Sequence, residues 1–483
     1  MASLTVERRA AVEPPPAWLL ALPLALLLAL LPVYLSALAV AGLAGAALVL
    51  ARPRWALYFV AFTVPYQSLV DVKVYGASFS VTEAVILLLL VGWITQLAAG
   101  RASRPRPSAI LLAIGIVLLV FLLSTFVATD LSLSAKELLK WVELAAVYLI
   151  GTSLLETPRQ RHVMLGWLVG AGVSQALVGL VQSALRVGPP HFMLGGVLMR
   201  AYGTFEQPNP FAGYLGLVLP LTVALALFGL RPGPWRRAAF SASAVLGLAM
   251  LLSLSRGAWM GQVVALLLVI MTGSRAARHA VLTFGLGGAL VVAALWPLLP
   301  SELSGRAASV VTSAVDLGSL PQETVTPENW AVLERLSQWY AGWQMFAANP
   351  ILGVGIGNYN AAYDNYRLDQ WPMALGHAHN HYLTIAAEAG FFGLLAYLLF
   401  LGVAFRSGVA AYQQSYDRMD KALIVGILGC LAAFATHNMF DVMFVHGMGV
   451  TVGLLLALLH GAPGGAEDST ALVDAVTGAA PAR

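Results

Sequence analysis

The chain has 483 residues, 59% hydrophobic and only 10% charged, with a mean hydropathy of +0.79. Soluble domains carry about a quarter charged residues, so water is excluded as the solvent for most of this surface. The net charge of +4 is not a nucleic-acid signal, because the basic residues fall in short turns between apolar runs, and a single cysteine, Cys430, excludes a disulfide or thiolate metal site within one chain.

In chain order, a Pro-rich start (Pro14 to Pro16) precedes the apolar run Trp18 to Leu31. Val81 to Leu97, Ala109 to Val127, Val163 to Leu185, Pro210 to Leu230 and Val281 to Leu298 follow, each long enough to cross a hydrocarbon core of roughly 30 Å as a helix. The first run continues directly into further spans, so no cleavable signal peptide is expected. The turns carry Arg8 and Arg9, Arg52 and Arg54, Arg101 to Arg106, Arg159 and Arg161, Arg231 to Arg237, Arg275 and Arg278, and finally Arg406, Arg418 and Lys421. This alternation marks the cytoplasmic loops and places both termini inside. The fold expected is all-α and polytopic, with about 12–14 spans.

The domain reading assigns 1–16 to a disordered cytoplasmic N-terminus and 17–299 to transmembrane helices. A large extracytoplasmic loop (300–380), further transmembrane helices (381–461) and a disordered cytoplasmic tail (462–483) complete it. Within the loop, Leu333, Leu336, Tyr340, Trp343 and Phe346 recur at helical spacing after a Thr326 cap and Pro327, which predicts an amphipathic helix on the membrane surface.

Three outer constellations carry chemistry. His377-Ala378-His379-Asn380-His381 precedes an apolar run, and Asn380 as N-cap sets His379 at the positive end of a helix dipole, where a neutral imidazole able to accept a proton is favoured. Interfacial histidines satisfying backbone groups are the plainer alternative. A metal held by His377 and His381, four apart, is the other, but two histidines without a placed carboxylate leave an incomplete shell.

The second constellation runs from Arg200 to Pro210: Asn209 as cap and Pro210 at the first helical position offer unpaired N–H groups to an anion, with Arg200 just upstream. The third is Ser253-Leu254-Ser255-Arg256-Gly257, an arginine that must face a cavity or the interface. Interfacial anchors or plain turns remain open for both. Lys136, Lys140 and Glu143 form a further outer patch, in which Lys140 and Glu143 can pair. Gly353 to Gly357 is glycine-rich but lacks the nucleotide-loop spacing and lysine, and reads as a turn. Two cations and two helix starts suit a diphosphate, and a neutral histidine beside them suits deprotonation of a hydroxyl. Together they suggest group transfer from a membrane-anchored diphosphate.

With Arg200 to Phe211, Ser253 to Trp259, Pro350 to Tyr359 and His377 to Gly393 in that order, the chain resembles the O-antigen ligase and Wzy-type polymerase group of bacterial membrane glycosyltransferases. The resemblance implies a GT-C-like fold in the bacterial inner membrane with a periplasmic active site. It implies inverting transfer of a glycan from undecaprenyl diphosphate to an acceptor hydroxyl, such as that of lipid A-core oligosaccharide, with no cofactor, nucleotide or metal. His379 would be the catalytic base. Arg200 and Arg256 would hold the diphosphate, and His377 matches a position that is often histidine; with Asn380, Asn209 and Lys140 from the constellations above, these complete the expected substrate-binding set. A polysaccharide polymerase or a protein O-oligosaccharyltransferase fits the same motifs. A solute transporter is the alternative of another class, against which stands the gathering of polar residues at one face rather than at the bilayer midplane.

Overall fold

The computed structural model describes residues 45–69, 71–74, 77–105, 107–273 and 330–460, with isolated positions at 42, 278, 279, 283 and 325. The apolar run Trp18 to Leu31, nearly all of Val281 to Leu298, the Thr326–Pro327 helix start and both terminal segments lie outside the described residues.

The chain is an all-α polytopic membrane protein. Among the described residues, six helices are long and apolar enough to span: Val81–Ala98, Ala109–Val127, Pro158–Leu185, Pro208–Gly229, His381–Gln414 and Arg418–His437. In chain order the helices are α1 (Pro53–Thr63), α2 (Val81–Ala98), α3 (Ala109–Ser124), α4 (Leu131–Leu154), α5 (Pro158–Leu185), α6 (Pro208–Gly216), α7 (Leu219–Ala224), α8 (Pro234–Leu252) and α9 (Arg256–Thr272). They continue as α10 (Trp330–Ala348), α11 (His381–Gln414), α12 (Arg418–His437) and α13 (Met448–His460). Two short antiparallel hairpins interrupt them, β1–β2 (Asp71–Val74 with Ala77–Ser80) and β3–β4 (Met193–Leu194 with Leu198–Met199).

Helix starts follow local chemistry. Ser80 with Glu83 and Thr157 with Gln160 close reciprocal capping boxes, and Asp130, Asn380 and Asp417 cap α4, α11 and α12 through their side chains. Burial then separates centre from periphery: 83% of the Pro208–Gly229 window and 78% of α12 are buried, against 28% of α2 and 33% of the Ala109–Val127 window. The central rods approach closely through small residues. A Cβ at Gly261 of α9 would lie 2.6 Å from the Ala433 carbonyl of α12, too near for any side chain.

The glycine-rich turn is a clamp. Gly353 N donates to Asn349 O at 3.0 Å, and the two oxygens of Glu388 accept from the N–H groups of Gly357 (2.9 Å) and Tyr359 (3.0 Å). Gly390 leaves helical geometry (φ 68°, ψ −165°), so α11 is two helices joined at a break, and the turn's backbone seats against that break. This docking fixes the first segment of α11, which follows His379 directly.

The helix α10 differs from the expected surface-lying rod. Leu333 and Leu336 are buried in a cluster with Trp371, and Ala341 and Met345 pack with Tyr359, Tyr363 and Ala378. Trp343, placed on the same stripe by the sequence, is 52% exposed. The apolar face is largely consumed by the loop 359–378, and the helix packs against the start of α11.

Candidate functional site

The starts of α6, α9 and α11, the end of α12 and the loop after it meet at one end of the bundle. A small polar cleft there (≈ 50 Å³) is lined by Arg200, Asn209, Ser255, Arg256, Arg335 and His437, with Asp441 in its wall. Arg200 leaves the end of β4; its Nε donates to the Ser253 carbonyl at 2.8 Å and its Nη2 to Asn209 Oδ1 at 3.3 Å. Asn209 in turn donates through Nδ2 to Asp441 Oδ2 at 2.7 Å.

Asn209 does not cap its helix. Gln207 takes that place and Pro208 is the first helical residue, because proline's fixed φ suits that position and its missing N–H costs nothing there. The Asn209 side chain, released from capping, bridges the arginine and the carboxylate instead. Arg256 is the first residue of α9 rather than part of an open turn, behind Ser255 at the N-cap. Gly257, next to it, admits the ring of His437: a Cβ there would sit 2.7 Å from His437 Cδ2.

His379 joins this network through Asp441. Its Nδ1 lies 3.1 Å from Asp441 Oδ1, which also accepts from Val442 N at 2.9 Å. Burial alone would raise the Asp441 carboxyl, but the hydrogen bond from His379 and the positive charge of Arg335 hold it well below the usual carboxylate range. An ionised carboxylate can only accept, so the His379 proton belongs on Nδ1, and Nε2 is the nitrogen able to take another. His379 adopts a left-handed backbone (φ 50°) immediately before the Asn380 cap, and its N–H donates to His377 Nδ1 at 3.1 Å. His377 is held to about 4 by burial, with Lys140 and Arg335 adding to the shift against the pull of Asp441. It is a neutral acceptor behind the His379 backbone.

The structure thus brings Arg200, Arg256 and Asn209 together on the cleft, with His379 adjoining it through Asp441. His377 backs His379 from behind, and Asn380, Lys140 and His381 turn to other partners. Asn380 is spent on capping, accepting from Leu383 N at 3.1 Å. Lys140 pairs with Glu137 at 2.5 Å, not with Glu143, and donates to Phe444 O at 3.3 Å. His381 shares no ligand face with His377; its ring stacks on Phe444 at 5.5 Å with both nitrogens buried and unpartnered.

Three cleft residues escaped the sequence reading. Asp441 is an acid between the apolar runs of α12 and α13, a signal that was available. Arg335 is one of three arginines in a Glu-rich loop and sits on the polar side of the α10 stripe. His437 closes an apolar helix and gave no signal of its own.

The donor atoms of His377, His379 and Asp441 lie within 4.8 Å of one another, the spacing a metal ion needs. The chemistry of the set fits a hydrogen-bonded base better. His377 Nδ1 accepts a backbone N–H, His379 Nδ1 donates a hydrogen bond to Asp441, and the second Asp441 oxygen accepts from Asn209. A cation ligated through Nδ1 of either histidine would displace the hydrogen bond that nitrogen now makes.

Fold and site together define a polytopic helical membrane protein with an arginine-lined cleft and a histidine–aspartate pair at one bundle end. Residues 241–398, about a third of the chain, match the family model described as O-antigen ligase. This stretch spans α9 and the His379 motif. None of the curated proteins matches the chain. A chain from the solved structure reported as "Structural coordination of polymerization and crosslinking by a peptidoglycan synthase complex" aligns with a TM-score of 0.42 at 16% identity, over 73% of this chain and 97% of that one.

Proposed function

We propose that the cleft transfers a glycan from a lipid-linked diphosphate, of the undecaprenyl type, to an acceptor hydroxyl on the non-cytoplasmic face of the inner membrane. The observation that carries this reading is the unbroken chain Arg200–Asn209–Asp441–His379, which ties a proton acceptor to a cleft lined by three arginines. His379 Nε2 takes the acceptor's O–H proton as that oxygen attacks the anomeric carbon. The bond from that carbon to the diphosphate oxygen breaks, and the diphosphate departs with the electron pair. Arg200, Arg256 and Arg335 neutralise the charge that develops on it.

General-base catalysis supplies roughly 10² to 10⁴-fold, and preorganised charge at the leaving group about as much or more. Asp441 keeps the base in the tautomer that can act. Inversion at the anomeric carbon follows from single displacement. The family match supports ligase chemistry, and lipid A-core oligosaccharide is the acceptor we propose; polymerisation and protein glycosylation would use the same donor and the same step.

The test is transfer by the purified protein from a synthetic polyprenyl-diphosphate oligosaccharide to lipid A-core, to a second repeat unit, or to a hydroxyl-bearing peptide. His379→Ala is expected to abolish transfer while insertion and expression persist. A substantially active variant removes the base assignment. Saturable uptake of small anions into liposomes, without transfer, would revive the transporter alternative.

A further inference from the structure

A second cavity lies across the loop 438–447 from the arginine cleft. It has a volume of ≈ 140 Å³ and is lined by Gln67, Glu83, Lys140, Glu143, Phe444 and His446. The loop serves both sides: Asp441 stands in the wall of the cleft, and Phe444 and His446 face the cavity. Asn438 Oδ1 accepts from Met443 N at 2.8 Å and holds the loop's turn.

We propose that this cavity binds one neutral or amino-bearing sugar ring of a glycan substrate. Size is the first argument. A cavity of about 150 Å³ takes a single benzene ring, and a hexose has about twice the heavy atoms of benzene, so this one takes an edge of a sugar ring with its vicinal hydroxyls and leaves the remainder outside. Its lining is the second. Gln67, Lys140 and His446 offer donors, Glu83 and Glu143 offer acceptors, and the alternation suits vicinal hydroxyls, which both give and receive hydrogen bonds.

Phe444 closes the inner wall as a rigid, buried group: its ring stacks on Trp141 (4.6 Å, 11°) and on His381 (5.5 Å, 5°), so it bounds the cavity without offering a stacking face. Gly447 leaves room for the Gln67 amide, since a Cβ there would fall 2.6 Å from its Oε1. Charge is the third argument. Glu83 and Glu143 face one ammonium that is already paired with Glu137 at 2.5 Å, and burial pushes the Glu143 carboxyl up to about 7, so its negative charge there develops as pH rises through that value. A uronic acid or phosphate would meet net repulsion there, whereas a hydroxyl or an ammonium group would not.

That the ring belongs to the transferred glycan or its acceptor rests on the function proposed above; that the cavity holds a sugar does not. Saturation-transfer NMR on the full chain in nanodiscs separates the two, with methyl α-glucoside, methyl α-glucosaminide and methyl α-glucuronide as probes. The first two are expected to receive saturation and the glucuronide none. Glu143→Gln on α4 and Gln67→Leu ahead of β1 each weaken the signal about fivefold or more, and His379→Ala leaves it intact. No transfer above empty nanodiscs, equal signal from the glucuronide, or unchanged binding in both variants would overturn the proposal. In the glycan-transfer assay, a raised KM for acceptor alone assigns the ring to the acceptor, and one for donor alone assigns it to the donor. If sugars bind but His379→Ala still transfers, the catalytic reading fails and the sugar subsite stands.

Discussion

Asp441 holds His379 by one ring nitrogen: Nδ1 meets Oδ1 at 3.1 Å, while Asn209 grips the other carboxylate oxygen at 2.7 Å. The carboxylate thereby links the histidine to the arginine side of the cleft. Asp441→Asn is nearly isosteric, but its amide can present N–H to Nδ1 and force the proton to Nε2. The variant is expected to insert normally and to lose transfer by on the order of 10²-fold or more in kcat, with donor KM little changed. Steady-state kinetics with a lipid-linked donor checks this; a drop confined to KM would place Asp441 in binding instead.

Arg335 lines the cleft from α10, a different element from those bearing Arg200 and Arg256. Its planar fork can bind a diphosphate oxygen pair in a way that a lysine point charge cannot. Arg335→Ala is expected to raise donor KM by roughly tenfold or more, with Arg335→Lys recovering part of the loss. The wild-type donor affinity should also fall with ionic strength more steeply than that of Arg335→Ala. Identical salt slopes for the two would exclude a direct diphosphate contact.

His377 gives the protein an acid limit. Burial lowers its folded value from 6.5 to about 4, so between these limits the unfolded chain binds a proton that the folded chain refuses. Stability contributed at neutral pH is therefore lost as pH falls through the unfolded value toward the folded one, and is gone below it. The thermal midpoint in detergent is expected to be lower at pH 5 than at pH 7.5. His377→Asn, which does not titrate, should flatten that slope while lowering the midpoint at pH 7.5, because the acceptor for His379 N is disturbed.

The turn around Gly353 seats on the broken helix through one carboxylate. Glu388 accepts two backbone N–H groups, and Gln can accept through only one oxygen while its NH₂ faces a donor. Glu388→Gln is expected to cost about 1–3 kcal/mol of stability, as for a buried donor left unsatisfied. Because this clamp fixes the segment following His379, activity should fall further than folded yield. A thermal melt and an activity assay on the same preparation distinguish the two losses.

What the sequence made legible was whatever depends on local order. Apolar length exposed the spans, Asn380 before an apolar run exposed the α11 cap, and His379, Arg200 and Arg256 stood out because charge in such a chain needs a reason. The convergence of separate segments was not legible. Asp441 lies 62 residues from His379 along the chain, so only packing of α11 against α12 joins them. Asn209 looked like a cap because Asn-Pro usually is one; the preceding Pro208 took over the helix start and freed its side chain. Lys140 stood out in the outer patch with Lys136 and Glu143, but its ion-pair partner, Glu137, one turn away on the same helix, was not legible as such.

At the opposite end of the bundle from the cleft, Arg161 of α5 and Asp420 of α12 form a buried ion pair at 3.2 Å, with side chains 2% and 7% exposed. Its Coulomb attraction is largely offset by the cost of desolvating both groups, so the pair adds little net stability over a well-packed apolar alternative. Removing one partner is a different matter, because the other charge stays buried alone. Asp420→Ala is expected to destabilise by about 3–5 kcal/mol, and Arg161→Met with Asp420→Leu together by much less than Asp420→Ala by itself. Thermal melts of the single and double variants in one detergent test this. If the double variant were as unstable as the single, the pair would be a net source of stability, and α5 would depend on it for its seat against α12.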